Sequence, residues 1–498
     1  MGRLASLVLT LLAAAAAPGA TLAQTEWTGC GAFGPARDFG SGFTSAEGVD
    51  WLGSPGALTL DRDPLVHGVD VIQGGISSLV AADMDGDGDC DLAACAFRGR
   101  IVIYENTGSG LTFVVHPVFT PEAFGPERIV ASDIDRDGDM DIAGTSRGDG
   151  TLAWWENAGG LPWIRHDLDP GAGTPFPLDA GDIDLDGSDE ILAGLEMPGR
   201  LVMMDRDPAD AGWTATEIDG DLPSPQWIEI LPDGDLLASS FSDSTVYLYS
   251  IDGAGWDRTA AARARGPLCA IPADMDGDGV PDLVFCSAWD DTVFWKPLAE
   301  GGASTVISTL TMAPGGLAAA DVDGDGDTDV VVSSEAAGEV AWFANCGDGS
   351  RFAPHYAAQI TGCSCVSAGD LDGDGLPDAA AGSIDDGSLI WAALGEYGET
   401  GSLTSSIVHL GPDPASASLS WEGDAPPGTS VRLSVRVSAD RTRMGSWTEV
   451  SGRDADISHL LSDGAVFLQY RIELASTDRN STPRVESVTL LTGSALSL

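Results

Sequence analysis

The residues best placed to do chemistry lie in six nine-residue acidic loops: DMDGDGDCD from Asp83, DIDRDGDMD from Asp133, DIDLDGSDE from Asp182, DMDGDGVPD from Asp274, DVDGDGDTD from Asp321 and DLDGDGLPD from Asp370. Position one is occupied by Asp83, Asp133, Asp182, Asp274, Asp321 and Asp370, position three by Asp85, Asp135, Asp184, Asp276, Asp323 and Asp372, and position five by Asp87, Asp137, Asp186, Asp278, Asp325 and Asp374. Position nine adds Asp91, Asp141, Glu190, Asp282, Asp329 and Asp378. Four carboxylates on so short a loop repel one another unless a cation sits between them, and an all-oxygen set suits Ca²⁺ better than Mg²⁺, which prefers to keep its own waters. Position seven is Asp89, Asp139, Ser188, Val280, Asp327 or Leu376, a tolerance expected if only its backbone carbonyl binds the ion. Position six is always Gly, as a sharp turn with positive φ demands. About six structural calcium ions are therefore expected. An EF-hand is excluded, because position twelve holds Ala94, Gly144, Ala193, Phe285, Val332 or Ala381 rather than Glu.

Elements around the loops must hold them. Position two is Met84, Ile134, Ile183, Met275, Val322 or Leu371, always apolar, which predicts a side chain turned into a core while its neighbours face the ion. Position-six glycines recur every 45 to 50 residues at Gly88, Gly138, Gly187, Gly279, Gly326 and Gly375, once a degenerate seventh copy at Gly234 is included. In that copy, counted back from the glycine, Glu229 and Asp233 hold positions one and five but Leu231 and Leu237 hold three and nine, so it is expected to be metal-free. Short β-rich segments flank each loop, and an aromatic follows thirteen residues after position nine in five units: Tyr104, Trp154, Trp295, Trp342 and Trp391. Four strands in each of seven units predict an all-β fold, a seven-bladed β-propeller over 61–395. The extra strand near Leu65 to Val71 would complete the last blade and close the ring.

These loops, with their trailing aromatic and Asn-Gly turns such as ENTGSG and ANCGDG, resemble the FG-GAP and VCBS repeats of integrin α chains and many secreted bacterial proteins. The resemblance implies a calcium-binding propeller. It does not settle function, since such repeats serve adhesins, receptors and accessory domains of enzymes.

His67, His116, His166 and His355 keep phase with the repeat and are read as scaffold; no GxSxG or HExxH motif accompanies any histidine. Cys269 and Cys286 flank a metal loop almost symmetrically, which predicts a disulfide across a hairpin, whereas the pairing of Cys30, Cys90, Cys95, Cys346, Cys363 and Cys365 stays open. Trp227 replaces the Ala or Pro of other repeats and is a candidate for the central channel. Trp289, in the turn Trp289-Asp290-Asp291 on the side away from the metal loops, is a second candidate ligand contact. Arg147-Gly148-Asp149 on the same side is read as a coincidence of composition.

Outside the repeats, Met1-Gly2-Arg3, an apolar run from Leu4 to Ala17 and the small-residue exit at Ala23 predict a secretory signal peptide over 1–23. An N-terminal segment over 24–60 precedes the propeller. Residues 396–498 carry longer alternating strands, SVRLSVRVSA and VFLQYRIEL, and predict a jelly-roll-like β-sandwich whose Trp421 and Trp447 are core residues or sugar contacts. A net charge of −53 over 498 residues excludes nucleic-acid binding by charge attraction, and no later apolar run is long enough for a membrane span. Taken together, the sequence predicts a secreted calcium-binding adhesion or recognition protein, non-catalytic, whose partner is an extracellular glycan or protein. The alternative is a polysaccharide lyase or dehydratase built on the propeller.

Overall fold

The computed structural model describes 64–97, 100–119, 126–160, 162–184, 187–206, 212–251, 255–298 and 302–395 of one compact unit. In a second unit it describes 21–24, 43–47, 49–50, 58–60, 62, 397–405, 407–411, 414–477 and 481–494. Nearly all of the expected leader, Cys30 and Asp186 lie outside the described residues.

Seven four-stranded antiparallel sheets make up the unit at 64–395. The first blade shows the pattern: Ile76–Ala82 (β1), Asp91–Ala96 (β2), Ile101–Asn106 (β3) and Phe113–Phe119 (β4) pair in sequence order. The acidic loop joins β1 to β2. Every residue of β2 is buried, because the second strand packs against blades on both of its faces. Three of its six residues are alanine, which lets neighbouring sheets approach closely. Core clusters each span two blades: Leu92 and Tyr104 of the first share one with Leu389 and Trp391 of the seventh.

The seventh blade is built from both ends of the unit. Cys363–Gly369, Asp378–Ser383 and Ser388–Ala393 are completed by Leu65–Val71 as outermost strand, with Trp391 opposite His67. Innermost strands pack side by side around the ring, Cys363–Gly369 against Ile76–Ala82. The chain is all-β with seven propeller sheets, as the repeat pattern predicts.

Blade four differs from the reading given above. Its ladder pairs Ile228 with Ala238, as Ile129 pairs with Gly144 and Leu79 with Ala94 in other blades. Glu229 is thus part of the innermost strand Pro225–Ile230 rather than loop position one. The loop has shrunk to a turn in which the amide of Leu231 donates to the carbonyl of Asp235 and that of Gly234 to Leu231. Asp235 takes the place of position nine.

In the other unit two antiparallel sheets share one core. One carries Pro414–Asp424 and Arg484–Ser494; the other carries Thr400–Ser405, Thr429–Ser438 and Phe467–Ser476. Leu419, Trp421, Val488 and Leu490 meet Leu433, Val435, Tyr470 and Ile472 between them. The segment expected at 24–60 as a separate stretch belongs here: Phe43–Glu47 pairs with Thr400–Ser405, and Leu58 and Leu60 lie fully buried in the same core. Thr21–Gln24 likewise pairs with Arg484–Ser494. Trp421 is buried, and the ring of Trp447 is covered by the guanidinium groups of Arg436 and Arg471 at 4.5 and 4.4 Å.

Candidate metal centres and the central channel

Each acidic loop is shaped by its own side chains. In blade one, Asp83 accepts the amides of Gly86 and Gly88, Asp85 that of Asp87, and Asp87 that of Asp89. Position-six glycines adopt φ between 83° and 98°, a region closed to most other residues. Asp91 is clasped hardest: its carboxylate takes the amides of Met84 at 2.8 Å and Asn106 at 2.7 Å. Position two is buried in all six loops, so every loop is pinned to its blade.

These turns bring together Asp83, Asp85 and Asp91; Asp133, Asp135 and Asp141; Asp182, Asp184 and Glu190; and Asp274, Asp276 and Asp282, with one carboxylate oxygen from each within 4.8 Å of the others. In blade six the gathered set is Asp321, Asp323 and Asp325. In blade seven Asp370 accepts the amides of Gly373 and Gly375, and Asp378 those of Leu371 and Asp372, the same fastening. Position five mostly secures the loop: Asp137, Asp278 and Asp374 accept the amides of Asp139, Val280 and Leu376. At position seven Ser188 is buried and the Val280 side chain is exposed, and Asp327 donates its amide to Asp325.

Asp133 Oδ1, Asp135 Oδ1, Asp182 Oδ1, Glu190 Oε1 and Asp321 Oδ1 are buried without any hydrogen-bond donor. A buried carboxylate oxygen with no partner is costly, and several converging on one point fit a hard cation. Burial without an ion pushes the position-nine groups up to about 6 for Asp91 and Asp282, about 7 for Asp141 and Glu190, and about 8 for Asp329 and Asp378. Several acidic clusters are thus able to hold metal ions.

Sequence reasoning missed how blades are tied together at these loops. Asn106 and Asn345 end the third strand of their blades and Asn157 follows its own, and each donates from Nδ2 to the position-two carbonyl of the preceding blade: Leu371, Met275 and Met84 respectively. The indole of Trp391 donates to Gly110 O and that of Trp295 to Gly349 O. The signal was present in ENTGSG and ANCGDG, where Asn ends a strand before a glycine turn. The four repeat histidines have structural partners: His67, His166 and His355 stack on Trp391, Trp154 and Trp342 at 4.3–4.5 Å, and His116 meets Glu105 at 2.6 Å.

Cys269 and Cys286 are both free, contrary to the disulfide expected from their symmetry. A register shift between Pro267 and Ala270 offsets the two strands there, and the Cys286 thiol points at the carbonyl of Pro314 in the next blade. Cys346 is disulfide-bonded. Thiol titration of the denatured, unreduced protein should therefore find at least six free groups, from Cys90, Cys95, Cys269, Cys286, Cys363 and Cys365; four would mean that two of them had paired, and peptide mapping would show whether these are Cys269 and Cys286.

Trp227 lines a cavity of about 360 Å³ running between the innermost strands, together with Arg128, Asp179 and Glu229. Its indole donates to Glu229 at 2.9 Å. Trp289 is 56% exposed on the turn after the second strand of blade five and meets Phe241 edge-on at 5.0 Å. Arg147 is held by Glu127 and Glu196, and Asp149 caps Thr151, so this tripeptide is a fastened turn.

The FG-GAP-like repeat family matches residues 83–144, 133–193, 274–332 and 321–381. Residues 83–193 and 274–381 therefore carry FG-GAP-like repeats, set in a β-propeller-like arrangement of four-stranded antiparallel sheets. Among solved structures the chain is similar to selenomethionine-substituted virginiamycin B lyase from Staphylococcus aureus, at 13% identity over 67% of this chain and 99% of that one, with a TM-score of 0.48. A streptogramin B lyase gives 14% over 66% and 97%, TM-score 0.49; BBS1N in complex with ARL6DN gives 15% over 66% and 95%, TM-score 0.49. No curated protein matches the chain. Among the described residues, no helix is long and apolar enough to cross a membrane.

Proposed function

We propose that this is an exported, calcium-stabilised recognition protein without catalytic activity, whose ions brace the blades while the face away from the metal loops engages an extracellular glycan or protein. The observation that carries the reading is the set of partnerless buried carboxylate oxygens, repeated in the loops of blades two, three and six. Calcium suits the reading because weak all-oxygen sites work at the millimolar levels found outside cells. Export rests on the leader read over 1–23, whose removal after Ala23 would take three residues from the strand Thr21–Gln24. The recognition face is supported by exposed apolar side chains on turns of that side: Met197, Trp289, Leu310 and Met312. Elemental analysis of extensively dialysed protein should find at least about three tightly held calcium ions per chain. Fewer would remove the basis of the reading.

A further inference from the structure

We propose that the propeller's central channel is a binding site for a small monocarboxylate, anchored by Arg128. The site lies apart from the metal loops and does not depend on the reading of them.

Ladder registers place Arg128 level with Ser78, Pro177, Trp227, Cys269, Gly316 and Cys365 around the channel. Six repeats thus carry an uncharged residue where the second carries a guanidinium. The next level holds the channel's two acids, Asp179 and Glu229. Arg128 is enclosed by protein yet touches the channel space. Its guanidinium lies 4.5 Å from the Trp227 ring and 5.4 Å from the Phe176 ring. These contacts engage the guanidinium through the ring faces and take up none of its N–H donors. Among the described residues no acceptor takes a hydrogen bond from that side chain, and neither Asp179 nor Glu229 forms an ion pair with it. The guanidinium is half-buried beside the channel, and its donors, taken by no protein acceptor, are available to an acceptor that enters the channel.

A planar carboxylate matches the guanidinium fork in two parallel hydrogen bonds. The neighbouring acids select for a single negative charge. Burial raises Asp179 to about 7, against the amides of Ile230 and Ala180 that its oxygens accept, and holds Glu229, which accepts from the Trp227 indole, well above the ordinary carboxyl range, so both carry protons in mildly acidic solution. A dianion gains nothing further and meets repulsion once Asp179 ionises. Other groups around Arg128 do not compensate it. The thiols of Cys95, Cys269 and Cys365 are pushed up by burial and remain neutral, and Arg147 is paired with Glu127 and Glu196; Asp189, which acts on Asp179 rather than on Arg128, accepts from the Ser132 hydroxyl. The cavity, about 360 Å³, takes one small molecule.

The test uses the full chain saturated with calcium, titrated calorimetrically with acetate and D-glucuronate and, for comparison, inorganic phosphate, chloride and glucose. A carboxylate should bind at mildly acidic pH and weaken about tenfold or more above pH 8, as Asp179 loses its proton. Arg128→Gln should abolish binding. Glu229→Gln, nearly isosteric, should keep it. No carboxylate binding to the wild-type chain, equal binding of phosphate or chloride, or full binding by a folded Arg128→Gln variant would each overturn the proposal. If Arg128→Gln fails to fold, the wild-type pH profile and the ranking of carboxylate over phosphate still decide it.

Discussion

Chelating divalent cations with excess EGTA should lower the melting temperature by more than about 10 °C and reverse its dependence on pH. Each ion that binds only the folded chain adds stability logarithmically in its concentration, about 2.7 kcal/mol for a site at a hundred times its dissociation constant. Several such sites, at roughly 2 °C or more per kcal/mol for a domain this large, exceed the stated shift. The reversal follows from the position-nine carboxyls. Without an ion, their folded-state pKa values of about 6 to 8 lie above those of an unfolded chain, near about 4. The folded state then binds more protons between these limits, so stability is greatest on the acid side and is lost as pH rises through 6 to 8. With ions bound the cation replaces the proton, and acidification competes it away. The EGTA-treated protein should therefore melt higher at pH 5.5 than at pH 8, the ion-loaded protein lower, and the two curves should converge in acid. Superimposable curves with and without EGTA would show that the loops hold no ion that matters.

What the sequence reveals and conceals here follows the range of the interactions. Loop geometry is local: Asp83 bonds Gly86 and Gly88, so its requirements are written within nine residues. Ring closure by Leu65–Val71 was also legible, because a strand with the outer-strand pattern stood ahead of the first loop. Blade four was misread since a count anchored on Gly234 cannot see that its loop has been cut to a turn; only the ladder shows Glu229 to be a strand residue. Cys269 and Cys286 were misjudged because a single register shift undoes a symmetry argument. The strand at Phe43–Glu47 pairs with Thr400–Ser405, more than three hundred residues away, and nothing in five residues reading FTSAE announces so distant a partner. Arg128 was visible as an Arg where other repeats have small or apolar residues, but only the closed ring turns that position toward a channel.

Ring closure gives the other large effect. Trp391→Ala should destabilise the protein by about 3–5 kcal/mol, the usual cost of emptying a fully packed aromatic site. Trp391 is 1% exposed and joins three pieces of chain. Its ring stacks on His67 of the closing strand at 4.5 Å, its backbone pairs with that strand, and its indole donates to Gly110 O of blade one at 2.8 Å. Gly110 has no room for a Cβ, which would stand 2.6 Å from the Trp391 ring. Removing the indole therefore opens a cavity and strands a buried carbonyl at the one seam where blade seven must meet blade one. In urea the midpoint should fall with little change in slope, provided the ring still unfolds as a unit. Trp289→Ala, which empties an exposed site on a turn, should stay within about 0.5 kcal/mol of wild type. If the two substitutions cost the same, the Trp391 contacts contribute no more than a surface turn, and closure is held by the other ties, the ladder between Leu65–Val71 and Ser388–Ala393 and the bond from Asn106 to the Leu371 carbonyl among them.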